Sequence, residues 1–301
     1  MGRPSPRPRG WFVAGLVTLW LGGCKPESPA SPEPEAAAAE PAEAERALVV
    51  THRGASADAP ENTLAAFRLG FEQGADAIEG DFWLSRDGVI VSHHDRTLER
   101  SAGDPRAINE LSAAELGQLD VGSWGPWADG TFAGEPIPTL DAVLDTLPAE
   151  GSILIEVKDS PALVEPLLEL LDARVEAGTL DPASVAIIAF DPEVLRRLSE
   201  LDPSWTNFLL VYFEQDEAGA WHPTLDELLA IARELGTEGI DMQAKPEVVT
   251  AELVAGLHAA GLECHVWTVD DPEWAKTLDG YGVDSITTNV PARIRAALES
   301  D

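Results

Sequence analysis

Cysteine is almost absent from this sequence of 301 residues, which contains Cys24 and Cys264 and no other. Two cysteines so far apart exclude a metal site built from a cysteine cluster, and they exclude a disulfide-rich scaffold. Cys264 lies in an apolar run at 263–267, where we expect a small residue of this kind to be buried in a strand. Any catalytic or metal-binding chemistry must therefore use other side chains.

Positive charge is also scarce. The chain has 20 Lys and Arg against 53 Asp and Glu, which gives a formal net charge of −33. A surface this acidic repels nucleic acid and anionic lipid head groups, and it attracts cations. We therefore expect no nucleic-acid partner, and we interpret the acidity first as a contribution to solubility.

Long hydrophobic runs are missing as well. Residues 11–21 form an apolar stretch near the N-terminus, but a membrane-spanning helix needs about 20 such residues. Three arginines precede this stretch, and Leu21-Gly22-Gly23-Cys24 follows it in the form of a bacterial lipobox. We predict that residues 1–24 are a lipoprotein signal peptide and that the lipidated Cys24 is the first mature residue. An ordinary signal peptide and a short membrane anchor are the alternatives.

Residues 25–46 are rich in Glu, Pro and Ala and contain no aromatic and no β-branched side chain. Such a segment cannot bury enough apolar surface to become ordered, so we predict an extended acidic tether. The protein is then exported and anchored by lipid to a bacterial membrane, on its periplasmic or cell-surface side. We expect the lipid anchor to be its only membrane contact.

Residues 47–301 alternate between short apolar runs and amphipathic stretches. The predicted strands lie at 47–51, 76–81, 152–157, 185–189, 208–212, 239–242, 264–268 and 284–287. The predicted helices lie at 62–72, 139–147, 161–176, 191–200, 224–235, 250–260, 271–279 and 291–298. Eight strands that alternate with helices indicate an α/β fold in one domain, a (β/α)8 TIM barrel.

Several residues mark the predicted helix ends. Ser160, Asp191 and Asp271 each precede a proline, and a capping side chain followed by proline in the first turn is typical of a helix start. Gly236 and Gly261 stand where two helices should end, because glycine readily adopts the left-handed conformation found there.

One apolar run, at 89–93, falls outside the barrel count. Its link to the second strand is too short for a parallel crossover, so we predict that it returns as the second arm of a hairpin. This hairpin should bring His94 level with Asp81. We predict an insertion at about 82–138, in which Trp124, Trp127 and Phe132 form a small cap over the barrel mouth.

Polar residues cluster at the ends of the predicted strands: His52 and Arg53 after the first, Glu79 and Asp81 on the second, and Glu156 and Lys158 on the third. In a TIM barrel, the catalytic groups lie at the carboxyl ends of the strands. Residues two apart on a strand point to the same side, so the two carboxylates of the second strand can share one ion. Histidines, carboxylates and cations together suit an enzyme that binds a hard metal ion and a phosphate, then cleaves a P–O bond.

The order of these motifs resembles that of the glycerophosphodiester phosphodiesterase family, over nearly all of residues 48–297. The first half of the resemblance lies in Thr51-His52-Arg53-Gly54, Pro60-Glu61-Asn62-Thr63, Ile78-Glu79-Gly80-Asp81 and His94-Asp95-Arg96-Thr97-Leu98. It continues in Ile137-Pro138-Thr139-Leu140, Ile155-Glu156-Val157-Lys158, Val266-Trp267-Thr268-Val269 and the run Gly282-Val283-Asp284-Ser285-Ile286-Thr287-Thr288-Asn289.

The resemblance implies metal-dependent hydrolysis of a small-molecule glycerophosphodiester to glycerol 3-phosphate and an alcohol. It implies these roles: Glu79, Asp81 and Glu156 as metal ligands, His52 and His94 as the acid/base pair, Arg53 and Lys158 as phosphate contacts, and Glu61 as a supporting carboxylate or a further ligand. Trp267 would form an apolar wall of the substrate pocket or belong to the core. Oxygen ligands of this kind favour one divalent cation, Mg²⁺ or Ca²⁺. Asn289 stands where this family usually has Asp.

Other functions stay open at this point. The same barrel could act on lysophospholipids, in the manner of a phospholipase D, or on other phosphodiesters. A non-catalytic lipid-anchored binding protein would need a broken site, whereas every expected position is filled. The cap favours small water-soluble diesters over intact lipids. No obligate protein partner is evident.

Overall fold

The computed structural model describes residues 46–158 and 160–300. The predicted signal peptide, with its lipidation site at Cys24, and almost all of the predicted tether lie outside the described residues. Within them, no helix is both long enough and apolar enough to cross a membrane.

Eleven strands and ten α-helices are found in the described residues, joined by short 3₁₀ turns. The strands are β1 (Leu48–Thr51), β2 (Ala77–Leu84), β3 (Ile90–Ser92), β4 (Ser152–Val157), β5 (Val185–Ala189), β6 (Asn207–Val211), β7 (Glu214–Gln215), β8 (Trp221–His222), β9 (Gly239–Gln243), β10 (Glu263–Trp267) and β11 (Ser285–Thr288). The helices are α1 (Leu64–Glu72), α2 (Glu99–Ala102), α3 (Ala113–Leu116), α4 (Leu140–Leu144), α5 (Val164–Glu176), α6 (Pro192–Leu201), α7 (Leu225–Leu235), α8 (Ala251–Ala259), α9 (Pro272–Tyr281) and α10 (Pro291–Leu298).

Eight of the strands form a closed parallel barrel. Their order is β1-β11-β10-β9-β6-β5-β4-β2, and β1 closes the ring by pairing with β2. Two residue pairs make this closing contact, Val50 with Ala77 and Thr51 with Ile78. The predicted (β/α)8 barrel is therefore confirmed.

Side chains along each barrel strand alternate between the interior and the surrounding helices, as the two-residue period of a strand requires. One buried cluster fills the interior and includes Val50, Leu154 and Phe208. The residues next to them, such as Val49 and Ile155, belong to the larger cluster between strands and helices. The same alternation points the polar residues at the strand ends into the barrel mouth.

The predicted hairpin forms between β2 and β3, which are antiparallel. Phe82 pairs with Ser92, and the backbone N–H of His93 donates to the carbonyl of Asp81 at 2.9 Å. The residue opposite Asp81 is thus His93 rather than the predicted His94, a difference of one position. This places the His94 side chain beyond the last hairpin pair, at the rim of the barrel.

The insertion packs against β3 around a small hydrophobic core of its own. Its buried residues are Val91, Leu98, Ile108, Leu111, Leu116, Val121 and Ile137. The Trp127 and Phe132 rings pack edge to face with centroids 5.3 Å apart, and the Arg100 guanidinium lies 4.5 Å above the centre of the Trp124 ring. The insertion is therefore a packed cap at the barrel mouth.

The predicted helix ends are also found. The Asp191 and Asp271 side chains accept hydrogen bonds from the first-turn backbone of α6 and α9, and Ser160 does the same for a 3₁₀ turn that leads into α5. Gly236 ends α7 with φ of 71°, and Gly261 follows α8 with φ of 80°. The short exposed hairpin of β7 and β8 is absent from the sequence prediction.

Candidate active site

The carboxyl ends of the barrel strands surround an open cleft. Seven of the residues singled out in the sequence line it: His52, Arg53, Glu79, His94, Glu156, Lys158 and Trp267. Asp81 lies beside them and is 1% exposed. Glu61 borders a smaller neighbouring cavity, which it shares with His94 and the cap residue Trp124.

Three acidic residues form the centre of the site. Glu79, Asp81 and Glu156 each place one carboxylate oxygen within 4.8 Å of the others, and all three are buried. Burial and the charges of Asp81 and Glu156 raise the pKa of Glu79 well above its ordinary value. Burial and the charge of Asp81 likewise raise the pKa of Glu156 to about 8. Within the chain alone, the charged form of this cluster is thus unfavourable.

A divalent cation fits this cluster. The Oε1 atom of Glu79 is buried, and nothing in the described chain donates a hydrogen bond to it. Carboxylate oxygens are hard ligands of the kind that Mg²⁺ and Ca²⁺ prefer. A bound cation would offset the repulsion among the carboxylates and give the unpartnered oxygen a ligand role.

Two cations flank the cluster. The Lys158 Nζ atom lies 2.9 Å from Glu156 Oε1 and 3.5 Å from Asp81 Oδ1. The Arg53 Nε atom lies 3.3 Å from Asp81 Oδ2. Burial would raise the pKa of Asp81, but the charges of Arg53 and Lys158 outweigh burial and hold that pKa below its ordinary value. Asp81 is therefore the member of the cluster that stays charged.

A tight backbone turn places Arg53 against the carboxylates. Arg53 has φ of 58° and Gly54 has φ of 79°. The Arg53 backbone N–H donates to Glu79 Oε2 at 2.8 Å. A Cβ at Gly54 would lie 2.5 Å from the carbonyl carbon of Ala66, so a side chain at this position is excluded both by space and by conformation.

His52 is held by Asn289. The two residues approach to 2.8 Å between His52 Nδ1 and Asn289 Oδ1. The Asn289 amide nitrogen in turn donates to Asp270 Oδ2 at 2.7 Å, which leaves the amide oxygen to accept from the imidazole. Burial and the neighbouring charge of Arg53 lower the pKa of His52. His52 is thus a neutral imidazole with its proton on Nδ1 and its Nε2 atom available as an acceptor.

His94 belongs to a different network. Its Nδ1 atom lies 2.7 Å from Asp95 Oδ1. Arg100 Nε donates to the other oxygen of Asp95 at 2.6 Å, and Arg100 Nη2 donates to Glu61 Oε1 at 2.7 Å. Glu61 Oε1 also accepts from Arg53 Nη1 at 3.3 Å. Glu61 therefore bridges two arginines and lies outside the carboxylate cluster, which favours the supporting role over that of a further ligand.

An aromatic wall borders the cleft. The rings of Phe190 and Tyr212 are stacked with centroids 4.7 Å apart, and Trp267 packs edge to face against both. The Trp267 Nε1 atom donates to the backbone carbonyl of Asp241 at 3.1 Å. Trp267 is thus partly exposed to the cleft rather than enclosed in the core.

The sequence reasoning missed several residues that hold the site. Asn62 donates to Asp81 Oδ2 at 2.8 Å and accepts from the Asp81 backbone at 3.1 Å. Arg100 lies on the short helix α2 and Asp270 on a loop, and the sequence carries no signal for their contacts. Asp95 directly follows His94, and Asp241 is an acidic residue inside an apolar strand. The sequence therefore did indicate that Asp95 and Asp241 could belong to the site.

Comparisons with known proteins agree with this geometry. The sequence profile of the Glycerophosphoryl diester phosphodiesterase family matches residues 52–293. A glycerophosphodiester phosphodiesterase from Caldanaerobacter subterraneus is 31% identical over 248 residues, which cover 82% of this chain and 95% of that protein. Another, from Bacillus subtilis, is 29% identical over 256 residues, which cover 82% of this chain and 85% of that protein.

Solved structures show the same likeness. A phosphodiesterase from Oleispira antarctica, in complex with the product sn-glycerol-3-phosphate, superimposes with a TM-score of 0.73 at 25% identity and covers 85% of this chain and 98% of its own. The crystal structure of a glycerophosphodiester phosphodiesterase from Agrobacterium tumefaciens gives a TM-score of 0.66 at 28% identity, over 83% of this chain and 99% of its own. The chain is therefore an enzyme of the glycerophosphoryl diester phosphodiesterase family.

Proposed function

We propose that this enzyme hydrolyses small glycerophosphodiesters to glycerol 3-phosphate and an alcohol. The observation that carries the proposal is the meeting of three carboxylates, two cations and two imidazoles in one cleft. Each of these groups has a use in cleaving a phosphodiester, and they come from separate strands whose carboxyl ends meet at the barrel mouth.

The carboxylates of Glu79, Asp81 and Glu156 would hold one divalent cation, Mg²⁺ or Ca²⁺. Such an ion neutralises the charge on the phosphate oxygens and fixes the phosphate in position. Both ions accept a ligand set made only of oxygens. Zn²⁺ usually takes nitrogen or sulfur ligands as well, so we do not expect it to be the native ion.

Arg53 and Lys158 would bind the two non-bridging phosphate oxygens. Both side chains line the cleft and already lie against the carboxylates, within 3.5 Å of Asp81. Charge-assisted hydrogen bonds of this kind are stronger than neutral ones. They become more valuable as negative charge builds up on the phosphoryl group during the reaction.

His52 is suited to act as the general base. The neutral amide of Asn289 fixes its proton on Nδ1, and its lowered pKa keeps the ring uncharged at neutral pH. The free Nε2 can then take a proton from the attacking hydroxyl. That hydroxyl is either the 2-hydroxyl of the substrate glycerol, which would give a cyclic phosphate first, or a water molecule.

His94 is suited to act as the general acid. Its Nδ1 contacts the carboxylate of Asp95, which can balance the charge of a protonated ring. A protonated His94 would donate from Nε2 to the oxygen of the leaving alcohol. The two histidines therefore differ in the partner behind them, an amide for His52 and a carboxylate for His94, and this difference divides the two roles.

We also propose that the enzyme acts outside the cytoplasm, anchored to a bacterial membrane through lipid on Cys24. The support is the lipobox pattern at 21–24 and the acidic segment that follows it. Globomycin treatment should leave the precursor uncleaved, and Cys24→Ser should abolish incorporation of radiolabelled palmitate. Palmitate labelling of the Cys24→Ser protein equal to that of the wild type would contradict the proposal.

The activity is tested by glycerol 3-phosphate release from glycerophosphocholine and glycerophosphoethanolamine. Residues 25–301 are assayed with Mg²⁺, with Ca²⁺ and with EDTA. We expect release that depends on the metal and that falls below detection in His52→Ala and in His94→Ala. A suitable control is His258→Ala, since His258 lies on α8, where it contacts Asp284 and is 39% exposed.

Each contrary result has a distinct meaning. Release that persists in EDTA would contradict the metal site. Near-normal rates in either histidine variant would contradict the acid/base assignment. No release from folded, metal-loaded protein, combined with cleavage of lysophosphatidylcholine, would replace glycerophosphodiesters by lysophospholipids as the substrate.

A further inference from the structure

One carboxyl group in the cleft has no part in the proposed chemistry. Asp241, on β9, is 2% exposed and its side chain lines the cleft. Its Oδ1 atom is buried and receives no hydrogen bond from the described chain. An unpartnered buried oxygen is costly, and a folded protein rarely keeps one without a use for it.

The strand register shows where this group lies. Asp241 pairs with Leu210 on β6 and with His265 on β10. His265 lies two residues before Trp267 and is on the same face of β10. The Trp267 indole donates to the Asp241 backbone carbonyl at 3.1 Å. The Asp241 carboxyl is therefore in the wall of the cleft, one layer below the aromatic rings.

A second unpartnered group belongs to the same cleft. Thr287, on β11, is 2% exposed and lines the cleft, and its Oγ1 atom has no hydrogen-bond partner in the described chain. The cleft lining on β5, β6 and β10 is apolar, with the side chains of Ile188, Leu210 and Trp267. The wall thus offers two isolated hydrogen-bonding groups on an otherwise apolar surface.

We infer that Asp241 and Thr287 bind the hydroxyl groups of the glycerol part of the substrate. A hydroxyl both donates and accepts, so a polyol can satisfy a carboxyl and a threonine together. Its carbon atoms can pack against Leu210 and Trp267. This inference rests on the proposed function, because it takes the phosphate to be bound by Arg53 and Lys158 in the same cleft.

A cationic head group is the less suitable occupant. Arg53 and Lys158 line the same cleft and would repel an ammonium group close to them. Burial also raises the pKa of Asp241 to about 7 although His265 attracts its charged form. A carboxyl that is often protonated is better suited to a neutral polyol. A second metal ion is not indicated either, because no other acidic cluster in the described ranges has the required spacing.

The test compares two ligands of the Ca²⁺-loaded enzyme by calorimetry. Glycerol 3-phosphate has both hydroxyls, whereas n-propyl phosphate has the same chain and phosphate but neither hydroxyl. We expect the wild type to bind glycerol 3-phosphate at least tenfold more tightly. Asp241→Ala should remove most of this preference by weakening the binding of glycerol 3-phosphate while leaving that of n-propyl phosphate unchanged.

Thr287→Val provides a second variant that preserves shape and should fold normally. We expect it to reduce the preference severalfold. Asp226→Ala, an exposed change on α7, should leave both affinities at the wild-type values and serves as the control. An unchanged preference in both Asp241→Ala and Thr287→Val would overturn the inference.

Two further outcomes are distinct. If Asp241→Ala weakens glycerophosphocholine but not glycerol 3-phosphate, the carboxyl contacts the head group and the inference is wrong. If the hydroxyl preference is found but no diester is hydrolysed, the proposed function fails while the hydroxyl site stands. Binding of the two phosphates is measured without turnover, so the two failures cannot be confused.

Discussion

The Nδ1 atom of His52 lies 2.8 Å from the Oδ1 atom of Asn289, and the partner is an uncharged amide. Asp270 fixes the orientation of this amide by accepting from its nitrogen at 2.7 Å. The ring of His52 is thus oriented without a negative charge in direct contact with it. A carboxylate at position 289 would favour the protonated ring more strongly than the amide does and would raise the pKa of His52.

Asn289→Ala should therefore change the pH profile as well as the rate. The hydrogen bond that Asn289 accepts from His52 raises the pKa of His52, against the lowering by burial and by Arg53. Without that bond the pKa falls further, so the acid limb of the kcat/KM profile should move to lower pH. The plateau should fall by about tenfold, because one hydrogen bond of about 1.4 kcal/mol is lost.

Ser56→Ala is the matched control for this change. The Ser56 hydroxyl donates to the same Asn289 oxygen at 2.8 Å but the structure records no bond between it and His52. Its loss should leave the acid limb in place. An unshifted acid limb in Asn289→Ala would contradict the positioning of His52 by Asn289.

Metal-free protein should become less stable as the pH rises. The pKa of Glu156 is raised to about 8 in the folded state from an ordinary value of 4.5, so the folded state binds the proton more tightly than the unfolded state. The stability from this group is complete below about pH 4.5 and is lost as the pH rises to about 8. Thermal unfolding in EDTA should therefore show a falling Tm over this range.

The increase in Tm given by Mg²⁺ or Ca²⁺ should grow over the same range, because the ion binds the deprotonated carboxylates. Measurements at about pH 5.5 and about pH 8 are sufficient, since they lie on either side of the main loss of stability. Glu156→Gln cannot ionise and should remove part of the pH dependence in EDTA, while Glu79 and Asp241, whose pKa values are also raised, still contribute. If the metal ion raised the Tm by the same amount at the two pH values, this would show that no metal binds this cluster.

Lys158→Met should reduce kcat/KM by about 30- to 150-fold. The loss of a charge-assisted hydrogen bond to phosphate corresponds to about 2 to 3 kcal/mol. Lys245→Met is a matched control, since Lys245 lies near the mouth after β9 and its Nζ atom is 4.9 Å from the centre of the Trp221 ring. Equal reductions of kcat/KM in Lys158→Met and Lys245→Met would mean that the charge of Lys158 acts only at long range.

Gly54→Ala should destabilise the protein by more than about 3 kcal/mol, since it adds a backbone clash to a conformation that alanine disfavours. Gly88→Ala provides the comparison. Gly88 has almost the same φ, 80° against 79°, but a Cβ added there would meet no atom of the described chain within 4 Å. The expected cost at Gly88 is therefore about 1 to 2 kcal/mol. Equal changes in unfolding free energy, measured in urea, would contradict a close contact between Gly54 and Ala66.

Much of the fold could be predicted because its local signals agree with one another. The strands at 152–157 and 185–189 match the prediction at both ends, and the capping residues Asp191 and Asp271 act as expected. The alternation of side-chain direction along each strand also predicted that the polar residues at the strand ends lie in one cleft. These features depend on neighbours in the sequence, which is why the sequence alone revealed them.

The remaining features depend on contacts between distant segments. The hairpin register differs by one position because the turn geometry, rather than a residue count, decides which residue faces Asp81. Arg100 joins Glu61 to Asp95 across loops that no periodic pattern describes. Asp241 could have been noticed, since an acidic residue inside the apolar run 239–242 contradicts the pattern around it.

The first and last strands of the barrel are hydrogen-bonded neighbours, with Leu48 paired to Ser285 and Thr51 to Thr288. During translation, His52 is therefore synthesised long before its partner Asn289, which lies 237 positions later in the sequence. A nascent chain, or one cut short before β11, has neither a closed ring nor an oriented imidazole. Hydrolytic activity must then wait until β11 and Asn289 have been synthesised and have folded against β1.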